Sequence, residues 1–382
     1  MLLEEFLNAK PLYYNEIDYS RMPRIYESVK EHLKLPKLIH LVGTNGKGTT
    51  GRFLASALRK GGFSVGHYSS PHILSFNERI WLDGESVSMS ILEEAHKKLL
   101  GLLDQKDASS LSYFEYTTLL AVVVYERCDY VVFEAGLGGE YDATAVFENI
   151  LTLVTPIGKD HEAFLGTTIK AIATTKLNAM QQGVILAQQQ HEEVYEIAQS
   201  IAQKKSAFYF QADALLDEPD SKKIVSITSQ LNLADYLQQN LTLAIAALKY
   251  LKVPYEVEFF ENSVLFGRLT PLSPNILLDV GHNVLAAQQI VKSLFGKKYT
   301  LIYNSFKDKE YTQILSLLEP IIESVELIAV EDARIESREK IEAALDTLGL
   351  VHKKFTTLQE GKNYLVFGSF SVAEAFLKVY NG

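Results

Sequence analysis

The sequence predicts an α/β protein with two domains, a larger one built on a mainly parallel sheet and a smaller one after it. Apolar runs typical of buried strands recur at 38–42, 130–133, 150–154 and 183–187, with helical patterns between several of them. In addition, a length of 382 residues exceeds what one hydrophobic core usually serves. The alternation of strands and helices indicates the fold class, and the length indicates two domains.

A domain boundary is predicted after a helical segment rich in alanine and leucine at 233–251, which is followed by Pro254 and an acidic, aromatic stretch. Beyond it, strand-like runs and helical stretches alternate again. The runs lie at 275–280, 299–303, 326–330 and 364–367, and the helical stretches include 286–294 and 339–348. We therefore predict an ATP-binding domain over 1–262 and a smaller α/β domain over 263–382.

The loop after the first apolar run carries the strongest functional signal. It reads Gly43-Thr44-Asn45-Gly46-Lys47-Gly48-Thr49-Thr50 and leads into a helical pattern. Glycines let backbone N–H groups curl towards a phosphate, the helix N-terminus adds partial positive charge, and Lys47 supplies a mobile charge. The loop is shorter than the strict Walker A pattern, which requires a further glycine upstream. The order of strand, loop, lysine, hydroxyls and helix predicts a nucleotide-phosphate site, against the alternative of a glycine-rich hairpin turn.

The composition excludes some classes of protein. A formal net charge of -10 argues against nonspecific nucleic-acid binding, although a locally basic cleft can still take anionic substrates. Cys128 is the only cysteine, so an intrachain disulfide is impossible. The first five residues carry acids where a signal peptide carries bases, and the apolar run 119–124 is too short to span a bilayer. We therefore expect a cytoplasmic protein that binds neither nucleic acid nor membrane.

Three further segments lie where a parallel sheet binds its ligands, just after predicted strands. They read SSPH at 69–72, EAGLGG at 134–139 and KDH at 159–161. Magnesium prefers oxygen ligands, which suits Thr49, Ser70 and Glu134, whereas a histidine such as His161 is less typical for so hard a cation. Taken singly, a strand-end glutamate or a loop histidine is more often structural. The glycines of 136–139 lack the spacing of a dinucleotide fingerprint, which argues against a Rossmann oxidoreductase.

Taken in order, these motifs resemble the folylpolyglutamate synthase and dihydrofolate synthase family of the Mur ligase superfamily. The resemblance rests on GTNGKGT, SSPHILSFNERI, FEYTTLLA, EAGLGGEYDAT, GKDH and DVGHN, and it extends from about residue 38 to Ser369. It implies a P-loop, Mur ligase-like central domain with a mainly parallel sheet and a smaller C-terminal α/β domain. It also implies an ATP-dependent acid–amino-acid ligase that uses ATP and Mg2+.

The reaction that the resemblance implies joins L-glutamate to dihydropteroate, to a reduced folate, or to both. The γ-phosphate of ATP passes to a substrate carboxylate, and the amino group of L-glutamate attacks the resulting acyl phosphate. A carboxylate is a poor electrophile, and phosphorylation gives it a leaving group. The phosphoryl transfer itself requires positioned cations more than covalent help from the protein. The resemblance leaves open which of the two reactions dominates.

The resemblance also assigns roles to matching positions. The cofactor-binding positions are Gly43, Thr44, Asn45, Gly46, Lys47, Gly48, Thr49, Asn240, Arg268 and Asp279. The metal-binding positions are Thr49, Ser70, Glu134 and His161. The substrate-binding positions are Arg79, Phe114, Asp142, Ala143, His282 and Ser369, of which Phe114, Asp142 and Ala143 match the dihydropteroate pocket. The catalytic positions are Lys47, Lys176 and His282.

Several of these positions also have a structural interpretation. Lys176 aligns with a lysine that the family often carries as a carbamate, but it lies in TKLNA instead of EKAGI, and the alternative is a solvated helix lysine. Asn240 can be a helix-surface amide, and Phe114 can belong to the core. Arg79 can be a surface ion-pair partner, and Ser369 can cap the last helix.

Two other functions remain open. A Mur-type ligase that extends a nucleotide-linked peptidoglycan precursor would share the loop, although SSPH and FNERI favour folate. A nucleotide-binding module that has lost catalysis is suggested by departures from the family pattern near Lys176, at Phe266 in place of proline, and at Val280 in place of glycine. The expected substrates are dihydropteroate or a reduced folate, with L-glutamate. A two-domain ligase with its cleft between the domains can act as a monomer, which is the expected state.

Overall fold

The computed structural model describes residues 1–10 and 18–381, which fold into two compact units. The larger unit comprises Met1–Asn232 and Leu237–Ser263, and the smaller unit comprises Leu233–Tyr236 and Val264–Gly382. Within the described residues, the helices are too short or too polar for any of them to cross a membrane.

The larger unit is built on a sheet of eight strands. They are β1 (Lys37–Val42), β2 (Val65–Tyr68), β3 (Ile80–Leu82), β4 (Glu85–Ser86), β5 (Tyr130–Glu134), β6 (Leu151–Val154), β7 (Gly183–Leu186) and β8 (Phe208–Gln211). Their order is β4-β3-β2-β5-β1-β6-β7-β8, and only the β2–β3 and β3–β4 pairs are antiparallel. All residues of β5 and β6 are buried, which is why these strands read as continuous apolar runs.

The helices of the larger unit connect and cover these strands. They are α1 (Leu3–Asn8), α2 (Arg21–Val29), α3 (Lys47–Lys60), α4 (Met89–Leu102), α5 (Gln105–Ser110), α6 (Tyr113–Tyr125), α7 (Glu162–Leu165), α8 (Ile169–Leu177), α9 (Glu192–Lys205), α10 (Glu218–Gln230) and α11 (Asp235–Tyr250), whose first two residues belong to the smaller unit. Side-chain caps fix several starts: Ser88 accepts the Ile91 N–H, and Ser112 accepts the Glu115 N–H in a capping box.

The smaller unit has a six-stranded sheet. Its strands are β9 (Thr270–Ser273), β10 (Ile276–Leu278), β11 (Tyr299–Tyr303), β12 (Ile322–Leu327), β13 (His352–Lys354) and β14 (Tyr364–Phe367), in the order β13-β12-β11-β14-β10-β9. Only the β9–β10 pair is antiparallel. The helices are α12 (Val284–Leu294), α13 (Tyr311–Leu318), α14 (Arg338–Thr347) and α15 (Phe370–Asn381). Buried side chains of β11 and β14, including Leu301 and Leu365, form its core with these helices.

The observed fold confirms the predicted class, a mixed α/β protein with a large, mainly parallel sheet and a second sheet. One strand was placed wrongly: the run 326–330 was predicted, but β12 spans Ile322–Leu327. The exposed Glu323 and the half-buried Ser324 interrupt its apolar pattern, which hides its first half. The sequence does not predict strand β2, because Gly66 and His67 interrupt its apolar run.

Candidate active site

The glycine-rich loop joins β1 to α3, and two glycines with positive φ give it its shape. Gly43 has φ 138°, and a Cβ there would overlap Thr155 Oγ1 and lie 2.8 Å from the Thr155 carbonyl oxygen. Gly46 has φ 90°, and a Cβ there would overlap Asn240 Oδ1 and lie 3.0 Å from its Cγ. Both positions therefore exclude a side chain, as expected of a loop that must bring its backbone close to a phosphate.

Thr44 ties this loop to the turn after β6. Its N–H donates to the Pro156 carbonyl at 3.0 Å. Its hydroxyl donates to the Gly158 carbonyl at 2.9 Å and accepts the Gly158 N–H at 3.0 Å. The GTNGKGT and GKDH motifs, which are 114 positions apart at this contact, therefore form one structure.

Lys47 folds back over the loop. Its Nζ donates to the carbonyls of Gly43 at 3.3 Å and Thr44 at 3.2 Å, and it lies 3.8 Å from Glu134 Oε1. Glu134, buried at the end of β5, accepts the Ser70 N–H at 3.2 Å through its other oxygen. Three of the predicted site residues, Lys47, Glu134 and Ser70, are therefore neighbours, and a mobile cation lies beside a carboxylate.

The predicted metal ligands supply mostly oxygen donors. Thr49, in the first turn of α3, is fully buried, and its hydroxyl has no hydrogen-bond partner among the residues that the structure describes, an arrangement that costs stability unless a ligand completes it. His161 is exposed, has a left-handed backbone (φ 54°) and precedes the short helix α7. Residues 1–10 and 18–381 contain no cluster of three or more His, Cys, Asp or Glu suited to a metal. A cation held by Thr49, Ser70 and Glu134 would complete its shell with waters and nucleotide phosphates, as Mg2+ does.

Lys176 is buried, with 4% of its surface exposed, so the alternative of a solvated helix lysine is wrong. Its Nζ donates to the Gly43 carbonyl at 2.8 Å. Helix α8 packs directly against the turn after β5, because Gly139 in that turn has no side chain. A Cβ on Gly139 would lie 2.6 Å from the Lys176 carbonyl oxygen. Burial, followed by the charge of Lys47, lowers the pKa of Lys176 to about 7, against the opposing effect of two aspartates.

Asn240 lies on α11 with 4% of its surface exposed, so the helix-surface interpretation is wrong. Its amide packs against Gly46 of the phosphate loop, as the close approach to that glycine shows. The structure thus brings Asn240 to the phosphate loop, and the nucleotide contact that the resemblance implies for it stays a prediction.

Two of the predicted pterin-side residues shape the turn after β5. A Cβ on Gly136 would lie 2.7 Å from Phe114 Cζ, and the Phe114 ring stacks on Tyr68 with centroids 5.9 Å apart. Phe114 is half-buried at the edge of the core rather than inside it. Asp142 is buried and accepts the N–H groups of Leu137 at 2.8 Å and Thr144 at 2.9 Å.

The carboxylate of Asp142 is therefore already engaged by the protein. Burial raises its pKa, and the hydrogen bonds from Thr144 and Leu137 oppose that rise. Ala143 is buried and begins the 3-10 helix Ala143–Val146 that Asp142 caps. Asp142 holds the turn that carries Ala143, and a contact with substrate would come in addition to that task.

Arg79 lies at the end of the loop between β2 and β3, which several hydrogen bonds hold in place. Its Nε donates to His72 Nδ1 at 2.7 Å, and its guanidinium lies 5.3 Å from the centre of the Tyr113 ring. Glu78 accepts three successive backbone N–H groups, from Ile73 to Ser75, each at 2.8 Å. Within the described part of the chain, Arg79 forms no ion pair, which contradicts the alternative of a surface ion-pair partner.

The remaining predicted residues lie in the smaller unit: Asp279 and His282 follow β10, Ser369 follows β14, and Arg268 precedes β9. His282 Nδ1 lies 3.1 Å from the Val280 carbonyl oxygen. A Cβ on Gly281 would lie 2.5 Å from the Phe367 ring, so this position excludes a side chain. Ser369 is buried and accepts the Val372 N–H at 3.1 Å, so it does cap the last helix.

Arg268 and Asp279 share one loop structure in the same unit. Arg268 donates from Nη1 to the Gly267 carbonyl at 3.0 Å, and its guanidinium lies 5.5 Å from the centre of the Phe370 ring. Asp279 accepts N–H groups from Leu269 at 2.9 Å and Gly281 at 2.8 Å.

Four further residues shape these loops, and Tyr236 is the one among them that lies outside the candidate site segments singled out from the sequence. Thr155 packs against Gly43, Gly136 makes room for Phe114, and Tyr236 donates to Asp279. Glu78 had a readable signal, because Ser75 followed three residues later by a glutamate is a capping-box pattern. Tyr236 also had a signal in the sequence, because it lies one helical turn before Asn240 and therefore on the same face of the helix.

A mainly parallel sheet with a glycine-rich loop between its central strand and a helix defines a P-loop α/β protein. No protein-family model matches the chain. A crystal structure of Helicobacter pylori folylpolyglutamate synthetase is 41% identical, with a TM-score of 0.80, and the match covers 99% of this chain and 98% of that one. The chain belongs to the folylpolyglutamate synthase and dihydrofolate synthase family.

Two further relatives agree with this membership. Dihydrofolate synthase/folylpolyglutamate synthase of Haemophilus influenzae is 29% identical, and the match covers 92% of each chain. The structure of E. coli FolC in complex with ADP, without folate substrate, is 25% identical, covers 96% of this chain and 95% of that one, and has a TM-score of 0.80.

Proposed function

We propose that this protein is an ATP-dependent ligase that adds L-glutamate to dihydropteroate, to a reduced folate, or to both, through an acyl phosphate. The observation that carries the proposal is Lys47, folded over the phosphate loop within 3.8 Å of Glu134. Family membership supports it, because the Haemophilus influenzae relative is named for both reactions and the E. coli relative binds ADP.

In the proposed mechanism the loop binds the ATP phosphates. The N–H groups of the loop and the start of α3 face the phosphate oxygens, and Lys47 leaves its carbonyl partners to neutralise the charge that develops during transfer. Thr49, Ser70 and Glu134 would hold Mg2+, with His161 as the fourth residue that the family resemblance assigns. When bound, the cation supplies charge neutralisation at the phosphates.

Lys176 stabilises this loop by donating a hydrogen bond to the Gly43 carbonyl. Its location beside Lys47 suits the carbamate that the family pattern suggests, because an added carboxylate would replace a repulsion between two cations with an attraction. Only a neutral amine reacts with CO2, and a pKa of about 7 leaves a large neutral fraction in neutral solution.

If Lys176 is carbamylated, bicarbonate should stimulate activity more at a pH about one unit above 7 than at one about one unit below it, because protonation removes the nucleophile. Lys176→Arg should abolish the stimulation, since arginine stays protonated. Initial rates with and without bicarbonate measure both effects. An unmodified Lys176 in an active, metal-bound enzyme would contradict the carbamate.

We assign the substrate carboxylate and ring system to the larger unit. Phe114 offers a half-exposed aromatic face, Asp142 and Ala143 form the adjoining turn, and Arg79 offers a cation on a braced loop. Such groups suit a flat heterocycle with amino donors and a benzoyl carboxylate.

We assign residues 263–382 to the second half of the reaction and residues 1–262 to ATP binding. Arg268 and Asp279 are proposed on the nucleotide side, and His282 and Ser369 on the L-glutamate side. Asn240 is proposed near the adenine. The support is that Asp279 and His282 follow β10, that Ser369 follows β14, and that Asn240 lies on the helix that touches Gly46.

We further propose that the enzyme works as a monomer in the cytoplasm and binds no nucleic acid. The net charge of -10 and the single, buried cysteine support the last two points.

The test uses purified protein with ATP, Mg2+, L-glutamate and either dihydropteroate or tetrahydrofolate. We expect ADP release that requires both glutamate and a pterin, and the two pterins decide between the two reactions. ADP release only with a nucleotide-linked peptidoglycan precursor would favour the Mur-type alternative. ATP binding without turnover of any of these would favour a silent nucleotide-binding module.

A further inference from the structure

Asp279 is the centre of a small hydrogen-bond network in the smaller unit. Its Oδ2 accepts the Tyr236 hydroxyl at 2.9 Å and the Leu269 N–H at 2.9 Å, and its Oδ1 accepts the Gly281 N–H at 2.8 Å. The carboxylate is buried, with 4% of its surface exposed. Asp279 thus joins two loop segments, and the side chain that completes its set of donors is Tyr236.

We propose that Tyr236 is a positioning residue that, through Asp279, fixes the backbone beside Arg268 and His282. The proposal rests on the function proposed above, in which Arg268 and His282 contact nucleotide and glutamate. Leu269 follows Arg268 and Gly281 precedes His282, so the two N–H groups that Asp279 accepts are one residue away from those side chains. Tyr236 itself need not touch either ligand.

The Leu269 segment needs such a restraint. Leu269 has φ 45°, a left-handed conformation that a leucine rarely adopts and that surrounding contacts must maintain. Thr270 helps, since its hydroxyl accepts the N–H groups of Gly267 at 2.9 Å and Arg268 at 3.3 Å. The Val280 N–H also donates to the Gly267 carbonyl at 3.1 Å. The bond from the Leu269 N–H to Asp279 is a further restraint, and it requires a carboxylate held in one orientation.

Tyr236 is well placed to hold that orientation. It lies in the first turn of α11 and packs, together with Leu269, against the core of the smaller unit. Burial raises the pKa of Asp279, while the charge of Arg268 and the hydrogen bonds, including the one from Tyr236, favour the carboxylate form that the loop requires. A phenylalanine would keep the packing and remove only the hydroxyl.

The experiment compares Tyr236→Phe with Tyr255→Phe in the full-length protein. Tyr255 is a matched control, because its hydroxyl also donates to a buried aspartate, Asp220, at 2.6 Å, but in the larger unit and outside the proposed site. We expect Tyr236→Phe to lower kcat/KM for ATP by about tenfold or more, the effect of losing a hydrogen bond to a charged group. KM for the pterin substrate should not change, because its proposed contacts lie in the larger unit.

Hydrogen–deuterium exchange provides a readout that does not depend on turnover. In Tyr236→Phe, the amides of Leu269 and Gly281 should exchange at least several-fold faster, and in Tyr255→Phe they should not change. Equal exchange and equal kcat/KM for ATP in both variants would overturn the positioning role. If the wild-type enzyme turned over no substrate, the proposed function would fail, and the exchange rates would still decide whether Tyr236 holds the loop.

Discussion

Lys47→Ala is expected to reduce turnover by about a hundredfold to a thousandfold, the usual cost of removing one positioned donor from a site of developing charge. The fold should survive, because Lys47 Nζ contacts only the carbonyls of Gly43 and Thr44 and one distant carboxylate oxygen among its described partners. Steady-state turnover and a thermal unfolding curve measure the two effects separately.

Lys298→Ala is the matched control for this variant. Lys298 Nζ also donates to two backbone carbonyls, those of Glu319 and Ile322, each at 3.2 Å, but it belongs to the smaller unit and is not among the predicted site residues. We expect near-normal turnover from this control. Near-normal turnover from Lys47→Ala as well would remove Lys47 from the phosphate site.

The second large effect is expected from Gly46→Ala. A methyl group at this position would overlap Asn240 Oδ1, so the loop, α11 or the buried Asn240 side chain must shift, and the backbone at φ 90° adds strain of about 1–2 kcal/mol. Because the loop N–H groups must point at the phosphates, we expect ATP affinity to fall by more than about tenfold. Calorimetric titration with ATP measures it directly.

Gly62→Ala separates strain from overlap. Gly62 has φ 95°, close to that of Gly46, but no atom lies within 4 Å of a Cβ there. Gly62→Ala should lose about as much stability through backbone strain as Gly46→Ala does, and it should keep its ATP affinity. If the two variants bound ATP equally well, the contact between Gly46 and Asn240 would have no part in nucleotide binding.

The sequence predicted those features whose chemistry is local. The run 38–42 and the glycines after it identified β1 and the phosphate loop, because buried parallel strands are continuously apolar and close backbone approach requires glycine. Strand β2 escaped because Gly66 and His67 interrupt it. An alanine in place of Gly66 would meet Tyr125, which no local pattern reveals.

Burial decided the cases that the sequence left open. Lys176 and Asn240 both looked compatible with exposed helix faces, and both are buried against the phosphate loop. Ser369 is the opposite case, because its structural interpretation is confirmed: its hydroxyl caps the last helix, as the local sequence suggested. Such outcomes depend on which residues come together from distant parts of the chain, and spacing along the sequence does not contain that information.

The most direct test of the central claim follows the oxygen atoms of the substrate carboxylate. The enzyme is given ATP, Mg2+, L-glutamate and a pterin substrate whose carboxylate carries oxygen-18, and the inorganic phosphate and the amide product are analysed by mass spectrometry. An acyl phosphate predicts that one labelled oxygen leaves with phosphate, because the carboxylate oxygen that attacks ATP departs when glutamate displaces it. Inorganic phosphate free of label, alongside glutamate-dependent turnover, would contradict the account.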